Sequence, residues 1–401
     1  MSSTAHISTK TVRQGLGSDT QHNAVVPPMH LSSTFQFDGF ERKGAYDYGR
    51  SGNPTRDELA AVLAELEGGA GSVITGSGMA AINLVTALLN PGDVLLAPHD
   101  CYGGTHRLLS ALHRKGVITV EFVNQSDPAA LSEAFALAPR MILCETPSNP
   151  LLRITDLAGI RERCKRHRTL LVADNTFLSP GLQNPIAHGA DIVLHSTTKY
   201  INGHSDVVGG AVIAATSELH EELSWWANCI GATGAPFDSF LTLRGLRTLH
   251  TRLRAHETNA GQMAAALSAH PFVKTVYYPG LESHPGHEIA RRQQQGYGGM
   301  ISFEMDGGRE QVATFLDNLR YFFLAESLGG VESLVAHPAS MTHAAMDERA
   351  RETAGISDGL IRLSIGIEHA GDLISDVNQA LDCARHCTQS GAKIIRAQLA
   401  V

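Results

Sequence analysis

The chain has 401 residues, of which 43% are hydrophobic and 18% charged, and a formal net charge of −8 at pH 7. This length holds two or three domains with a substantial core, in a composition typical of globular proteins. The acidic balance without a sustained basic run argues against a nucleic-acid or anionic-membrane partner. No apolar stretch reaches the roughly 18 residues of a membrane span. The polar start MSSTAHISTKTVRQG lacks the apolar centre of a signal peptide. Six scattered cysteines form no CxxC pair, which reads as reduced thiols in a cytoplasmic protein. HExxH is absent, and no metal site is expected at His195 and His204.

In chain order, residues 1–60 read as a polar, loop-rich arm containing VVPPMH and GNPTR. With little core of its own, the arm is expected to pack against something else, another subunit being one choice. Residues 61–245 alternate short apolar runs (72–75, 94–98, 119–123, 141–145, 170–174, 192–195 and 210–214) with amphipathic stretches (80–89, 105–114, 128–137 and 157–166). This alternation predicts an α/β fold with a mostly parallel seven-stranded sheet covered by helices on both faces. From about residue 243 a helical pattern runs to 266, and Arg244, Arg247, Arg252 and Arg254 are expected on one face of it. KTVYYPG and MISFEM then read as strands of a smaller C-terminal α/β domain, residues 246–401, ending in a helix end and tail from about 390.

Ligands of such sheets bind beyond the carboxyl ends of the strands, and several motifs fall there. Asp174 ends one apolar run, and Lys199 follows another in HSTTKY. A lysine amine that condenses with an aldehyde, and a carboxylate that keeps a pyridine nitrogen protonated, are what pyridoxal 5′-phosphate (PLP) requires. Taken singly, the aspartate could cap a helix and the lysine could be a surface residue. TGSGMAA follows a strand and opens a helix, which suits a phosphate or an ordinary tight turn. It is neither GxGxxG nor GxxxxGK[ST], so a dinucleotide fold and an NTPase loop are disfavoured.

Ser196 and Thr198 would share one face if their segment is extended, which would put both hydroxyls on one phosphate or leave them as strand-end hydroxyls bonded to backbone. Tyr102, beside Gly103 and Gly104, could lie on a flat heterocycle. Arg362 lies in the strand-like IRLSIGIE, where a buried fork of donors suits a carboxylate, from a substrate or from the protein. Asn149 in ETPSNP is a turn residue that can also contact a ligand.

Together these motifs resemble the Cys/Met-metabolism family of fold-type I PLP enzymes, from about residue 9 to about 386. The resemblance rests on VVPPMHLSSTF, YGRSGNPTR, ELEGGAGS, GSGMAA, PHDCYGGT, ETPSNPLLR, VADNTFLSP, HSTTKYINGHSD, AESLGGVESL and LSIGIE. It implies that Lys199 carries the cofactor, Asp174 pairs with its ring nitrogen and Tyr102 stacks on the ring. Gly78, Met79, Ser196 and Thr198 would hold the phosphate, completed by Tyr48 and Arg50 from the neighbouring subunit of a homotetramer built as a dimer of dimers.

Arg362 and Asn149 would grip the substrate α-carboxylate while Ser327 orients Lys199. Arg107 would meet a distal carboxylate, and Asp47 and Glu326 an incoming amino group. The implied reaction is a γ-replacement in which L-cysteine displaces succinate from O-succinyl-L-homoserine. The alternatives are γ-elimination of cystathionine and sulfhydrylation of a homoserine ester. One departure is Ser51, which follows Arg50 where enteric members carry a second arginine.

Overall fold

The computed structural model describes residues 5–344, 346 and 348–398, with side chains described as far as 387. Seven strands form the larger sheet: β1 (Gly71–Thr75), β2 (Val94–Pro98), β3 (Thr119–Val123), β4 (Met141–Glu145), β5 (Leu170–Asp174), β6 (Ile192–His195) and β7 (Gly210–Ala214). Their spatial order is β1-β7-β6-β5-β4-β2-β3. β7 is antiparallel to both of its neighbours, while the pairs β6–β5, β5–β4, β4–β2 and β2–β3 are parallel. The central strands are buried along nearly their whole length, as parallel strands covered on both faces must be.

Side-chain alternation sorts these strands between two apolar layers. Ile142, Cys144, Leu171, Ala173 and Val193 pack on one face with Leu63 and Leu66 of the helix Pro54–Glu67. Met141, Leu143, Val172, Ile192 and Leu194 pack on the other with Ile82 and Leu84 of the helix Gly78–Thr86. Local sequence starts and stops these helices. Asn53 caps the first, its Oδ1 accepting from Thr55 N at 3.0 Å ahead of Pro54, and Gly68 ends it in the left-handed region at φ 75°. That helix crosses position 60, so the polar arm passes into the larger sheet's packing without a break.

The second sheet has five strands in the order β10-β11-β12-β9-β8. They are β8 (Val273–Tyr277), β9 (Met300–Met305), β10 (Phe323–Leu324), β11 (Leu334–Ala336) and β12 (Leu360–Ser364). Phe303, Phe315, Ile361 and Leu381 lie in its own apolar cluster. The arginine-rich run departs from expectation: Arg244 lies in the helix Pro236–Leu246, whereas Arg252 and Arg254 lie in the helix Leu249–Ala269. The break at 247–248 turns Arg252 inward, where Nη1 donates to Tyr200 O at 2.7 Å and Nη2 to Gly245 O at 2.9 Å. The last helix extends through Gln398, beyond the expected change near 390, and the tail at 399–401 lies outside the described residues.

Candidate active site

Beyond the carboxyl ends of β4, β5 and β6, where the second sheet's β11 and β12 meet them, lies a cavity of about 730 Å3. Lys199 enters it from a turn. β6 ends at His195, and Lys199 N donates to Ser196 O at 3.2 Å, while Gly203 N donates to Lys199 O at 2.8 Å. The segment is therefore not extended as the sequence suggested, because these turn hydrogen bonds fold it back on itself. Ser196 and Thr198 still line the cavity, and Thr197 is buried away from it. Thr198 Oγ1 donates to Gly209 O at 3.2 Å and accepts from Gly209 N at 3.0 Å.

Lys199 Nζ donates to Ser327 Oγ at 2.7 Å. Burial, reinforced by the Arg362 charge and opposed by Glu326, brings the Lys199 ammonium down to about 8. Asp174 closes β5, with Glu145 opposite it on β4 and Leu194 on β6. Its Oδ1 accepts from Thr176 N at 3.0 Å. Burial pushes the Asp174 carboxyl up, against the pull of Thr176 and His195. Glu145 is pushed well up, by burial first and by Asp174 second.

The helix Gly78–Thr86 points its N-terminus at the cavity. Ser77 caps it by accepting from Ala80 N at 3.0 Å, and the helix itself does not use the N–H groups of Gly78 and Met79. A Cβ on Gly78 would stand 2.8 Å from Ser196 Cβ, so glycine is what lets the helix start and the Ser196 turn form one cradle. Tyr102 precedes the helix Gly103–Arg114, and its N donates to Glu145 Oε2 at 3.0 Å. A Cβ on Gly104 would stand 2.5 Å from Tyr102 Cε1, so the ring lies back over its own helix.

Arg362, buried in the middle of β12, donates from Nη1 to Asn149 Oδ1 at 2.9 Å and from Nη2 to Ser327 O at 2.9 Å. Its Nε has no partner, and among the described residues it forms no ion pair with a carboxylate. A bridge to a protein acid is therefore not its role. Asn149 is held by its N donating to Glu145 Oε1 at 2.8 Å and its carbonyl accepting from His343 Nε2 at 3.0 Å. Glu326 is exposed at the edge of the cavity.

Four expected residues are not brought into the cavity of their own chain. Arg50 Nη1 donates to Asn228 Oδ1 at 2.8 Å and lies 5.8 Å from the Tyr48 ring centroid. Asp47 accepts from Ser51 Oγ at 2.6 Å and pairs with Lys43 at 2.9 Å, contacts that hold its carboxyl at about 2. Arg107 is exposed on the helix Gly103–Arg114. Conversely, Ser77, Glu145 and Thr176 line the cavity although no sequence argument singled them out. Glu145 was the findable one, since it ends an apolar run as Asp174 does.

A buried lysine amine, a carboxyl and a helix N-terminus around one cavity are complementary to an aldehyde, a pyridine nitrogen and a phosphate. The residues present fit PLP. The family model for Cys/Met metabolism PLP-dependent enzymes matches residues 8–382. The chain belongs to that family. Its cofactor is pyridoxal 5′-phosphate. This family member is 55% identical to cystathionine γ-synthase of Escherichia coli K12 over 94% of this chain and 98% of that protein. It is 46% identical to cystathionine γ-lyase of Bacillus subtilis 168 over 93% of this chain and 98% of that one. The crystal structure of cystathionine γ-synthase from Xanthomonas oryzae pv. oryzae, in complex with aminoacrylate and cysteine, superposes with a TM-score of 0.94 at 60% identity, covering 95% of this chain and 99% of that one.

Proposed function

We propose that the enzyme carries out γ-replacement on O-succinyl-L-homoserine, with L-cysteine displacing succinate to give L-cystathionine. The observation that carries this reading is Arg362, a buried guanidinium that pairs with no carboxylate among the described residues and shares a cavity with the Lys199 amine. An amino-acid α-carboxylate would neutralise it while presenting Cα near Lys199. The choice of γ-replacement over γ-elimination is supported by the identity to the Xanthomonas oryzae and Escherichia coli γ-synthases, 60% and 55%, which exceeds that to the Bacillus subtilis γ-lyase, 46%.

Bound PLP supplies an aldehyde carbon for the substrate amine and a ring that withdraws electrons from Cα. Asp174 would hold the proton on the ring nitrogen, Tyr102 would lie on the ring face, and Gly78, Met79, Ser196 and Thr198 would hold the phosphate. With its ammonium at about 8, Lys199 supplies a useful fraction of free amine at neutral pH. It would act as a shuttle carrying one proton at a time, taking the Cα proton and giving it up to the bound cofactor before taking the Cβ proton, with Ser327 fixing Nζ and Tyr102 assisting as acid or base. The Cγ–O bond breaks with its electron pair going to succinate, the sulfur of cysteine, having lost its proton to solvent, bonds to Cγ as a thiolate, and Lys199 returns the protons to Cβ and Cα one at a time. Arg107, exposed on the helix that follows Tyr102, would have to swing inward to meet the succinyl carboxylate, and Asp47 and Glu326 are assigned to the amino group of cysteine.

We further infer a dimer of dimers in which Tyr48, Arg50 and Asp47 serve the neighbouring cavity. Their position outside their own cavity supports this, as does an arm that leaves Val25, Leu31 and Phe40 exposed. Among the described residues no helix is long and apolar enough to cross a membrane, and we assign the enzyme to the cytoplasm.

Product analysis tests the reaction. Purified protein given O-succinyl-L-homoserine and L-cysteine should make cystathionine rapidly, and form 2-oxobutanoate only slowly from the ester alone. Little turnover of that mixture, with rapid release of cysteine and 2-oxobutanoate from cystathionine, would reassign it as a γ-lyase.

A further inference from the structure

Behind the strand ends that meet the cavity, in the layer of Leu63 and Leu66, lies a buried polar network that reaches the cavity lining at His195. Glu67, the last residue of the helix Pro54–Glu67, is 1% exposed. Its Oε1 accepts from His195 Nε2 at 2.6 Å and from Asn175 Nδ2 at 2.8 Å. Its Oε2 accepts from Asn184 Nδ2 at 3.4 Å. Gln183 extends the network, donating from Nε2 to Asn175 Oδ1 and to Thr146 O, each at 3.0 Å.

The three strand ends reached in this way are those that carry the cavity floor. Thr146 follows Glu145, Asn175 follows Asp174, and His195 precedes Ser196. Glu145, Asp174 and Ser196 each adjoin in sequence a residue that the network holds, so fixing that neighbour limits how the adjoining residue can turn at the cavity. Burying a carboxylate costs several kcal/mol unless its lone pairs are satisfied. An apolar residue at position 67 would fill the layer beside Leu63 and Leu66 at less cost, so the acid is there for what it grips.

We propose that Glu67 is a positioning residue for the cofactor, clamping β5 and β6 directly and β4 through Asn175 and Gln183, so that Asp174, Ser196 and Glu145 keep one arrangement. The inference rests on the assignment of Lys199 and Asp174 to PLP. His195 adds an electrostatic link: its imidazole opposes the burial that pushes Asp174 toward its neutral form.

The test is Glu67→Gln, which keeps size but weakens the grip on the three donors His195, Asn175 and Asn184. The PLP dissociation constant of resolved and reconstituted protein would be measured by equilibrium dialysis, with melting curves of the cofactor-free and cofactor-bound forms. The expected result is an affinity loss of about tenfold, the equivalent of one to two hydrogen bonds. It should come with a smaller gain in melting temperature on adding PLP and a shifted pH profile of the bound-cofactor absorption. Equal destabilisation of both forms, with unchanged affinity and pH profile, would reduce Glu67 to a structural residue and overturn the proposal. If Glu67→Gln does not fold, Gln183→Met removes the links to Thr146 O, Asn175 Oδ1 and Gln293 Nε2 while leaving Glu67 on His195 and Asn175, and should weaken affinity about threefold, within the worth of one hydrogen bond; unchanged affinity there also overturns it. A Lys199→Ala protein that still bound PLP covalently would instead refute the cofactor assignment beneath the proposal.

Discussion

Ser327 meets Lys199 from a left-handed backbone: its φ is 89°, its hydroxyl accepts from Lys199 Nζ at 2.7 Å, and its carbonyl accepts from Arg362 Nη2 at 2.9 Å. A non-glycine residue there stores about 1–3 kcal/mol of strain. The strained turn is what lets one residue hold the amine and the guanidinium together.

Substituting Ser327 separates those two features. Ser327→Gly and Ser327→Ala should both lower kcat about fivefold, the worth of one hydrogen bond at about 1 kcal/mol. Only the glycine variant relieves the backbone, so it should melt at a higher temperature than the alanine variant. Steady-state kinetics and thermal melts of the pair decide this, and equal melting temperatures would count against strain at this position.

Removing the amine should be far more severe. Lys199→Ala should abolish the visible absorption of the lysine-linked cofactor and lower kcat by about a thousandfold or more, within the range of lost acid–base catalysis. In the wild-type enzyme the amine must be neutral to accept a proton. With its ammonium at about 8, the kcat profile should rise as pH increases through about 8 and level off above it. A limb that falls over that interval would remove Lys199 from the role of base.

Arg362→Ala should leave PLP bound while raising KM for O-succinyl-L-homoserine, with a loss in kcat/KM equivalent to about 2–5 kcal/mol. Arg362→Lys should recover little of it, because a single ammonium cannot replace a planar fork held to Asn149 and Ser327. Loss of the cofactor spectrum in either variant would mark the arginine as structural.

Gly78→Ala probes the cradle without touching a charged group. The new methyl would come within 2.8 Å of Ser196 Cβ and push the helix start and the Lys199 turn apart. PLP affinity should weaken by about 1–3 kcal/mol, the usual cost of overpacking, with the holo enzyme melting earlier. Unchanged affinity on dialysis would show that the phosphate is held elsewhere.

Much of this was legible in the chain, because strand ends announce themselves. The apolar runs closing at Glu145, Asp174 and His195 are all observed, and each delivers a residue to the cavity or directly before it. The turn at residues 196–199 was not legible: hydroxyl and β-branched residues suit a strand as well as a turn, and long-range hydrogen bonds such as Ser196 N to Thr176 Oγ1 at 2.9 Å settle which one forms.

Local sequence determined the α/β alternation, the helix caps at Asn53 and Ser77, and the set of residues able to serve PLP. These depend on periodicity and on side-chain chemistry that a linear chain carries in full. The tertiary structure alone decided which of them meet. It brought Arg362 to Asn149 and Ser327 across the two sheets, and it kept Arg107 and the arm out of their own cavity. It also buried Glu67 behind the strand ends that Asp174 and Ser196 share. The reason is that the environment of a charge depends on which surfaces pack together, and that is a property of distant segments with no local pattern in the sequence.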